Sequence, residues 1–355
     1  MQSALLAASM AWLPLLALSF FEGVAYGTDV KVPFLRDFAV NVRFLLALPI
    51  LIVSEPIVDG WWRRLVLEFP RSGLVGLAEL PAFDDAIERV TRLRDRLLPD
   101  VLLLVAAFAP LLVVRTELLM GGVSSWHVAG TGHLSLAGWW FDLVSTPLFR
   151  FLLLRWAWKK LLWTTFLWRV ARIKLRLAPA HTDLAAGLGF LSEGQRAFSP
   201  IVFAGGLVLA GQVINAIVYE GVTLPSVQYI FVAYAVMAVI MLVAPLLVFS
   251  PVLFEVKKTA CLEYGALVTR HDLSFDAKWI LGQRPPGETM LGNPDASSLA
   301  DLGTAFDVVR RMRIVPIDRP TLITLAVAAG LPIVPVVLFV TPASELLGDV
   351  LKMLA

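Results

Sequence analysis

From Gly221 to Phe254 the chain carries no charged side chain, and the same holds from Ala197 to Tyr219 and from Pro320 to Ser344. A helix that crosses a bilayer satisfies its backbone polar groups internally, and it needs roughly 20 mostly apolar residues to traverse about 30 Å of hydrocarbon. All three runs reach that length, so lipid is the natural solvent for this chain. The first segment, Met1 to Phe21, is also uncharged. It lacks a basic start and a small-residue cleavage site, and it reads as a retained helix, with a signal peptide as the alternative.

Composition points the same way. The 355 residues are 58% hydrophobic and only 16% charged, against about 25% charged in soluble domains, and the mean hydropathy is +0.77. These values exclude disorder and argue against a water-soluble enzyme. The net charge of +2 and the lack of a basic domain argue against a nucleic-acid partner. One cysteine, Cys261, cannot close an internal disulfide. No Cys/His cluster, phosphate-binding loop, nucleophile elbow or HExxH helix is present, so neither a metal nor a cofactor is expected.

Three further spans need tolerance for charge. Phe44 to Val53 must extend to Arg43 or Glu55, Val101 to Val114 extends at both ends, and Trp139 to Lys160 contains Asp142, Arg150 and Arg155. The expected fold is therefore all-α, a polytopic transmembrane helix bundle in a single integral-membrane domain over 1–355, with about seven spans. They fall near 4–21, 38–58, 101–120, 141–162, 199–219, 228–252 and 321–342. Lys and Arg crowd the connections 59–100, 163–198 and 255–319 and are absent from 121–140 and 221–226. By the positive-inside rule the even connections are cytoplasmic, which puts the N-terminus inside and the C-terminus in the periplasm. Two cytoplasmic stretches, Pro81 to Leu98 and Ser297 to Met312, have the apolar spacing of amphipathic surface helices.

Ionisable residues at membrane depth are candidates for function because they are costly there. Arg43 and Arg150 share the outer third and Glu55 lies near the inner end of the second span. Each either lines a pathway or snorkels and pairs, Arg150 with Asp142 or Glu117. Gln212, Asn215 and Tyr219 occupy one face of the fifth span behind Gly205, Gly206, Ala210 and Gly211, a pattern suited to interhelical hydrogen bonding or to a polar path. The fourth helix is expected to run on into the cytoplasm with Arg155, Lys159, Arg169, Arg172 and Arg176 within an arc of about 140°. Its basic stripe reads either as an anchor to anionic lipid or as a vestibule that attracts anions. His181 and Asp183 read as a proton relay or divalent site at the cytoplasmic face, or as a loop residue and a helix N-cap beside the close-approach glycines Gly187 and Gly189. His127 and His133 with Asp142 are a weaker metal candidate. Pro245, Pro251, Pro332 and Pro335 are expected to break the last two spans.

Several segments carry a resemblance: Arg43 to Pro49 (RFLLALP), Leu153 to Trp156 (LLRW), His181 to Leu191 (HTDLAAGLGFL), Ser298 to Gly303 (SLADLG), Met312 to Pro316 (MRIVP) and Leu331 to Pro335 (LPIVP). On these the chain resembles a group of uncharacterised polytopic bacterial inner-membrane proteins. The resemblance implies location and fold but no activity, and Arg150 departs from it, since an uncharged residue is expected there. The functional expectation is a channel or transporter for an ion or small solute. The alternatives are a membrane scaffold that docks a protein partner or a second copy through its cytoplasmic connections, and a membrane-face enzyme using His181 and Asp183.

Overall fold

The computed structural model describes residues 2–113, 125–128 and 133–340. Among them there is no strand; two isolated bridges, Val32 with Ser125 and Val128 with Leu134, are the only β pairing. The helices in chain order are α1 Gln2–Phe21, α2 Phe38–Arg71, α3 Leu80–Arg94, α4 Leu97–Val113, α5 over 136–170, α6 Leu191–Arg196, α7 Ser199–Glu220, α8 Leu224–Val243, α9 Ser250–Phe275, α10 Pro294–Arg311, α11 Arg319–Gly330 and α12 Ile333–Val340. Their starts follow local chemistry. Asp37, Ser135, Asn293 and Asp318 each accept a backbone N–H of the first turn that follows them, the usual service of a short polar N-cap.

The chain is a polytopic all-α membrane protein. Among the described residues four helical paths are long and apolar enough to cross a membrane, and five when α11 and α12, bent by 42°, count as one broken span. Of the other two expected spans, α4 is short as described and residues 114–124, including Glu117, lie outside the described set, as do 341 and 342 at the end of the seventh. α5 is long, but its charges lower its hydropathy. The expected proline breaks take a specific form. Pro245 and Pro251 sit in the first turns of a 3₁₀ segment, Ala244–Phe249, and of α9, so the path from α8 to α9 changes pitch without stopping.

Two expectations change. The helix of the sixth span does not stop where its apolar run does: it continues through α9 and a π-turn to Ile280, a path of 57 residues, about 85 Å in contour at 1.5 Å per residue. α10 then packs back along it, with Phe306 against the backbone of Gly265. The fourth helix does not run on to Arg176. It stops at Val170, after which the Arg176 N–H donates to the Leu74 carbonyl (2.8 Å), drawing the chain sideways. Arg172 instead lies over the Trp168 ring at 3.5 Å.

The connections sort to two ends of the bundle. At one, the Glu22 carboxylate accepts from Leu136 N, Trp126 N donates to the Val32 carbonyl, and Tyr219 Oη donates to the Arg36 carbonyl. At the other, the Arg313 N–H reaches the Leu184 carbonyl, and Ser192 Oγ bridges the Pro316 carbonyl and Asp318 N. The odd connections thus meet at one end and the even ones at the other. α3 closes the even end, setting Phe83 against Phe69 of α2 and Phe166 of α5. The small residues of α7 allow close approach: a Cβ on Gly206 would sit 2.9 Å from the Ala329 carbonyl oxygen, and one on Gly211 2.9 Å from that of Phe38. Gly206→Leu is expected to lower stability by about 1–3 kcal/mol, measured by thermal unfolding in detergent, because rigid backbone blocks the added side chain.

Candidate functional site

A groove of about 650 Å³ opens at the end where the even connections gather, between α2, α3, the start of α4 and α5. Its floor is aromatic: Trp62 and Trp163 stack with centroids 5.2 Å apart, beside Phe166 and Trp158. Its upper wall is charged. Glu55 Oε1 accepts from Arg155 Nη2 at 3.0 Å and from Lys159 Nζ at 2.8 Å, and Lys159 also donates to Asp59 at 2.9 Å. Arg63, Arg94 and Asp100 complete the rim. Lys159 is 15% exposed, while Glu55, Arg155 and Asp59 keep 29%, 44% and 48%, so solvent screens the network much as it does surface pairs and only the Lys159 ammonium is held mostly away from water. A second, small void continues up the same seam past Leu51 and Leu152.

Farther along that seam lie Arg43 and Arg150. The Arg43 guanidinium is 5.8 Å from the Phe149 ring and within charge range of Asp37 and Arg150. Both helices change pitch here, α2 through the π-turn Arg43–Ala47 and α5 through the π-turn Phe141–Ser145. Phe44 meets Phe141 and Phe149 edge to face, so the two π-turns oppose each other. Such turns insert one residue into the helical repeat and recur at functional positions. Asp142 lies 3.8 Å from His127, and no ion pair joins Arg150 to a carboxylate among the described residues.

The α7 polar face divides. Asn215 Nδ2 donates to Asp37 Oδ1 (2.8 Å) and its Oδ1 accepts from Phe38 N (2.9 Å), which is interhelical bonding rather than a path. Gln212, three residues earlier and therefore about 60° away around the helix, is exposed.

His181 and Asp183 organise a loop. The Asp183 carboxylate accepts from the N–H groups of Ala185, Gly187 and Gly189 and lies 2.9 Å from His181 Nδ1, which is on the surface. It caps no helix: α6 begins only at Leu191. Leu184 and Ala186 are held at φ of 57° and 54°, a strained conformation for residues with a Cβ. Arg313 secures the strain, donating from Nη2 to the Asp183 carbonyl. Burial acts to raise the Asp183 carboxyl, but the donors from Ala185, Gly189, His181 and Gly187 prevail and hold it below the ordinary carboxylate range.

His127 is buried and His133 exposed. Burial pushes the His127 imidazole down to about 4 against the pull of Asp37, so it is neutral at ordinary pH. Among the described residues no group of three or more His, Cys, Asp or Glu is arranged to hold a metal ion.

Sequence reasoning brought out Glu55, Arg155, Arg43 and Arg150, but not Asp37, Asp59, Lys160 or Arg313 as site residues. Asp37 was visible as an N-cap three residues before Val40. Lys160, whose Nζ bonds Gln195 Oε1 (2.8 Å) and the Leu242 carbonyl (3.3 Å), had no local signal. No family model, curated protein or solved structure matches the chain.

A depressed carboxyl contributes stability that is present above its unfolded pKa and lost as pH falls through the folded value. Asp183→Asn is therefore expected to unfold at a lower temperature than the parent at pH 7, with the gap closing in strong acid. Thermal melts of both proteins across that range check it.

Proposed function

We propose that this protein is a transporter or channel for a small anionic solute, which passes along the seam between α2 and α5. The observation that carries this reading is the order of groups on that seam. The groove opens onto Arg63, Arg155 and Lys159, the small void follows at Leu51 and Leu152, and Arg43 with Arg150 lie beyond it. Breaks in α2, α5, the α8–α9 path and the α11–α12 pair support it, since discontinuous helices are how transporters build sites at membrane depth. The crowding of Lys and Arg in the even connections favours a cytoplasmic groove in a bacterial inner membrane, with the N-terminus inside and the C-terminus in the periplasm.

On this reading there are seven spans. α5 is one of them because its charges, Arg150 apart, are answered within the protein: Arg155 and Lys159 by Glu55 and Asp59, and Lys160 by Gln195 and the Leu242 carbonyl. The other basic residues of the even end suit anionic lipid headgroups. Kinship with the inner-membrane group rests on the shared sequence segments alone.

A scaffold is the second reading, favoured by Leu262 and Leu273 on α9 and Ile280 at the end of the π-turn after it, which stand exposed beyond the apolar run. The HxD pair as an enzyme site has less support, because Asp183 is committed to its own loop.

Protein reconstituted in liposomes is expected to pass small anions and not cations. Glu55→Gln, which removes the counter-charge of Arg155 and leaves Lys159 with Asp59 alone, is expected to change the rate by about tenfold. Silence toward inorganic and small organic anions between pH 5 and 8 overturns the reading, and stop-flow vesicle assays with a halide-quenched dye provide the measurement.

A further inference from the structure

We propose that Arg43, Arg150 and Thr146 together bind one small inorganic anion of the halide class between the opposed π-turns of α2 and α5. The inference names the solute class for the transport reading, and it rests on that reading only in treating α2 and α5 as the walls of a pathway.

Two arginines in facing membrane helices need compensation, because a guanidinium cannot shed its proton and is costly to bury alone. Here they lie within charge range and repel each other. Neither forms an ion pair with a carboxylate among the described residues. Asp37, which attracts Arg43, has both oxygens engaged: Oδ1 accepts from Val40 N and Asn215 Nδ2, and Oδ2 from Trp126 Nε1. It offsets charge from a distance but does not accept from either guanidinium.

The donors left over lie on the two facing segments. Arg43 Nε, Arg150 Nη1 and Thr146 Oγ1 are all shielded from solvent and lack a hydrogen-bond partner. Thr146 is four residues before Arg150, one turn away on the same face of α5. Phe149, between them in sequence, is the ring beside the Arg43 guanidinium, so α5 presents this face to α2. Buried donors without acceptors are rare in native proteins and call for a bound group. A water would accept from two of the donors and leave the repulsion in place. An anion answers all three and removes it.

The walls limit size. Phe44 is fully buried and Phe149 nearly so, and with Phe141 they pack edge to face around the site. Aromatic edges carry partial positive charge, which tolerates a weakly hydrated anion. Close aromatic packing on this scale favours a small monatomic anion over a hydrated phosphate or carboxylate.

The test uses the full chain in detergent, exchanged into gluconate and titrated with bromide at constant ionic strength. Binding is followed by the melting temperature and by the line width of ³⁵Cl resonance with chloride as competitor. A saturable response is expected, weakened at least tenfold in Arg150→Leu and in Thr146→Val and unchanged in Arg270→Leu, an exposed position on α9 outside the groove and the seam. Thr146→Val removes one hydroxyl and keeps the side-chain shape, so it reports even if Arg150→Leu fails to fold. A response that does not saturate, or that survives both substitutions, overturns the proposal. Saturable binding without vesicle flux would keep the site and remove the transport reading. Flux that Arg150→Leu and Thr146→Val leave unaltered, with no saturable binding, would do the opposite.

Discussion

The Asp37 carboxylate ties one end of the bundle together. It caps α2 through Val40 N, takes the indole of Trp126 from the third connection and takes the amide of Asn215 from α7. Hydrogen bonds to a charged group contribute about 1.5–3 kcal/mol each, and these three fix where α2 begins. That start sets the rotation of α2, and with it the side on which Arg43, Glu55 and Asp59 emerge. Gly211 lets α7 come within backbone distance of Phe38, so the Asn215 amide can reach the carboxylate.

At the other end a self-contained loop does the corresponding work. Asp183 folds the segment after α5 around its own carboxylate, and Arg313 and Ser192 attach the segment before α11 to it. α3 covers Phe69 and Phe166 above this loop and forms the outer wall of the groove. The two ends thus hold α2 and α5 in register while the seam between them stays polar. Charges on the seam are answered because they meet across it: Glu55 with Arg155 and Lys159, and Asp59 with Lys159. Arg43 and Arg150 are the pair for which the same logic leaves charge of one sign on both sides.

Much of this was legible in the residues. The uncharged runs gave α1, α7, α8 and the α11–α12 pair, and the apolar spacing of Pro81 to Leu98 and Ser297 to Met312 anticipated α3 and α10 within a few residues. The alternation of basic loops anticipated which connections meet. The end of α5 was not legible, because WRVARIKLRL has good helical pattern throughout and only the bond from Arg176 N to the Leu74 carbonyl stops it. The length of α9 was hidden for the opposite reason: its polar composition resembles a loop, and packing of α10 along it helps maintain the helix.

The sequence by itself determined that the chain lives in lipid and roughly where it crosses, because apolar length and the cost of unsatisfied backbone act locally along the chain. It also determined which few ionisable residues need explaining. Only the tertiary structure decided that Glu55 belongs with Arg155 and Lys159, that Asn215 serves Asp37 rather than Gln212, and that Arg43 and Arg150 face each other across two π-turns. Those pairings depend on helix rotation, and rotation is set by contacts between residues far apart in the chain, such as Asp37 and Asn215, that no local pattern encodes.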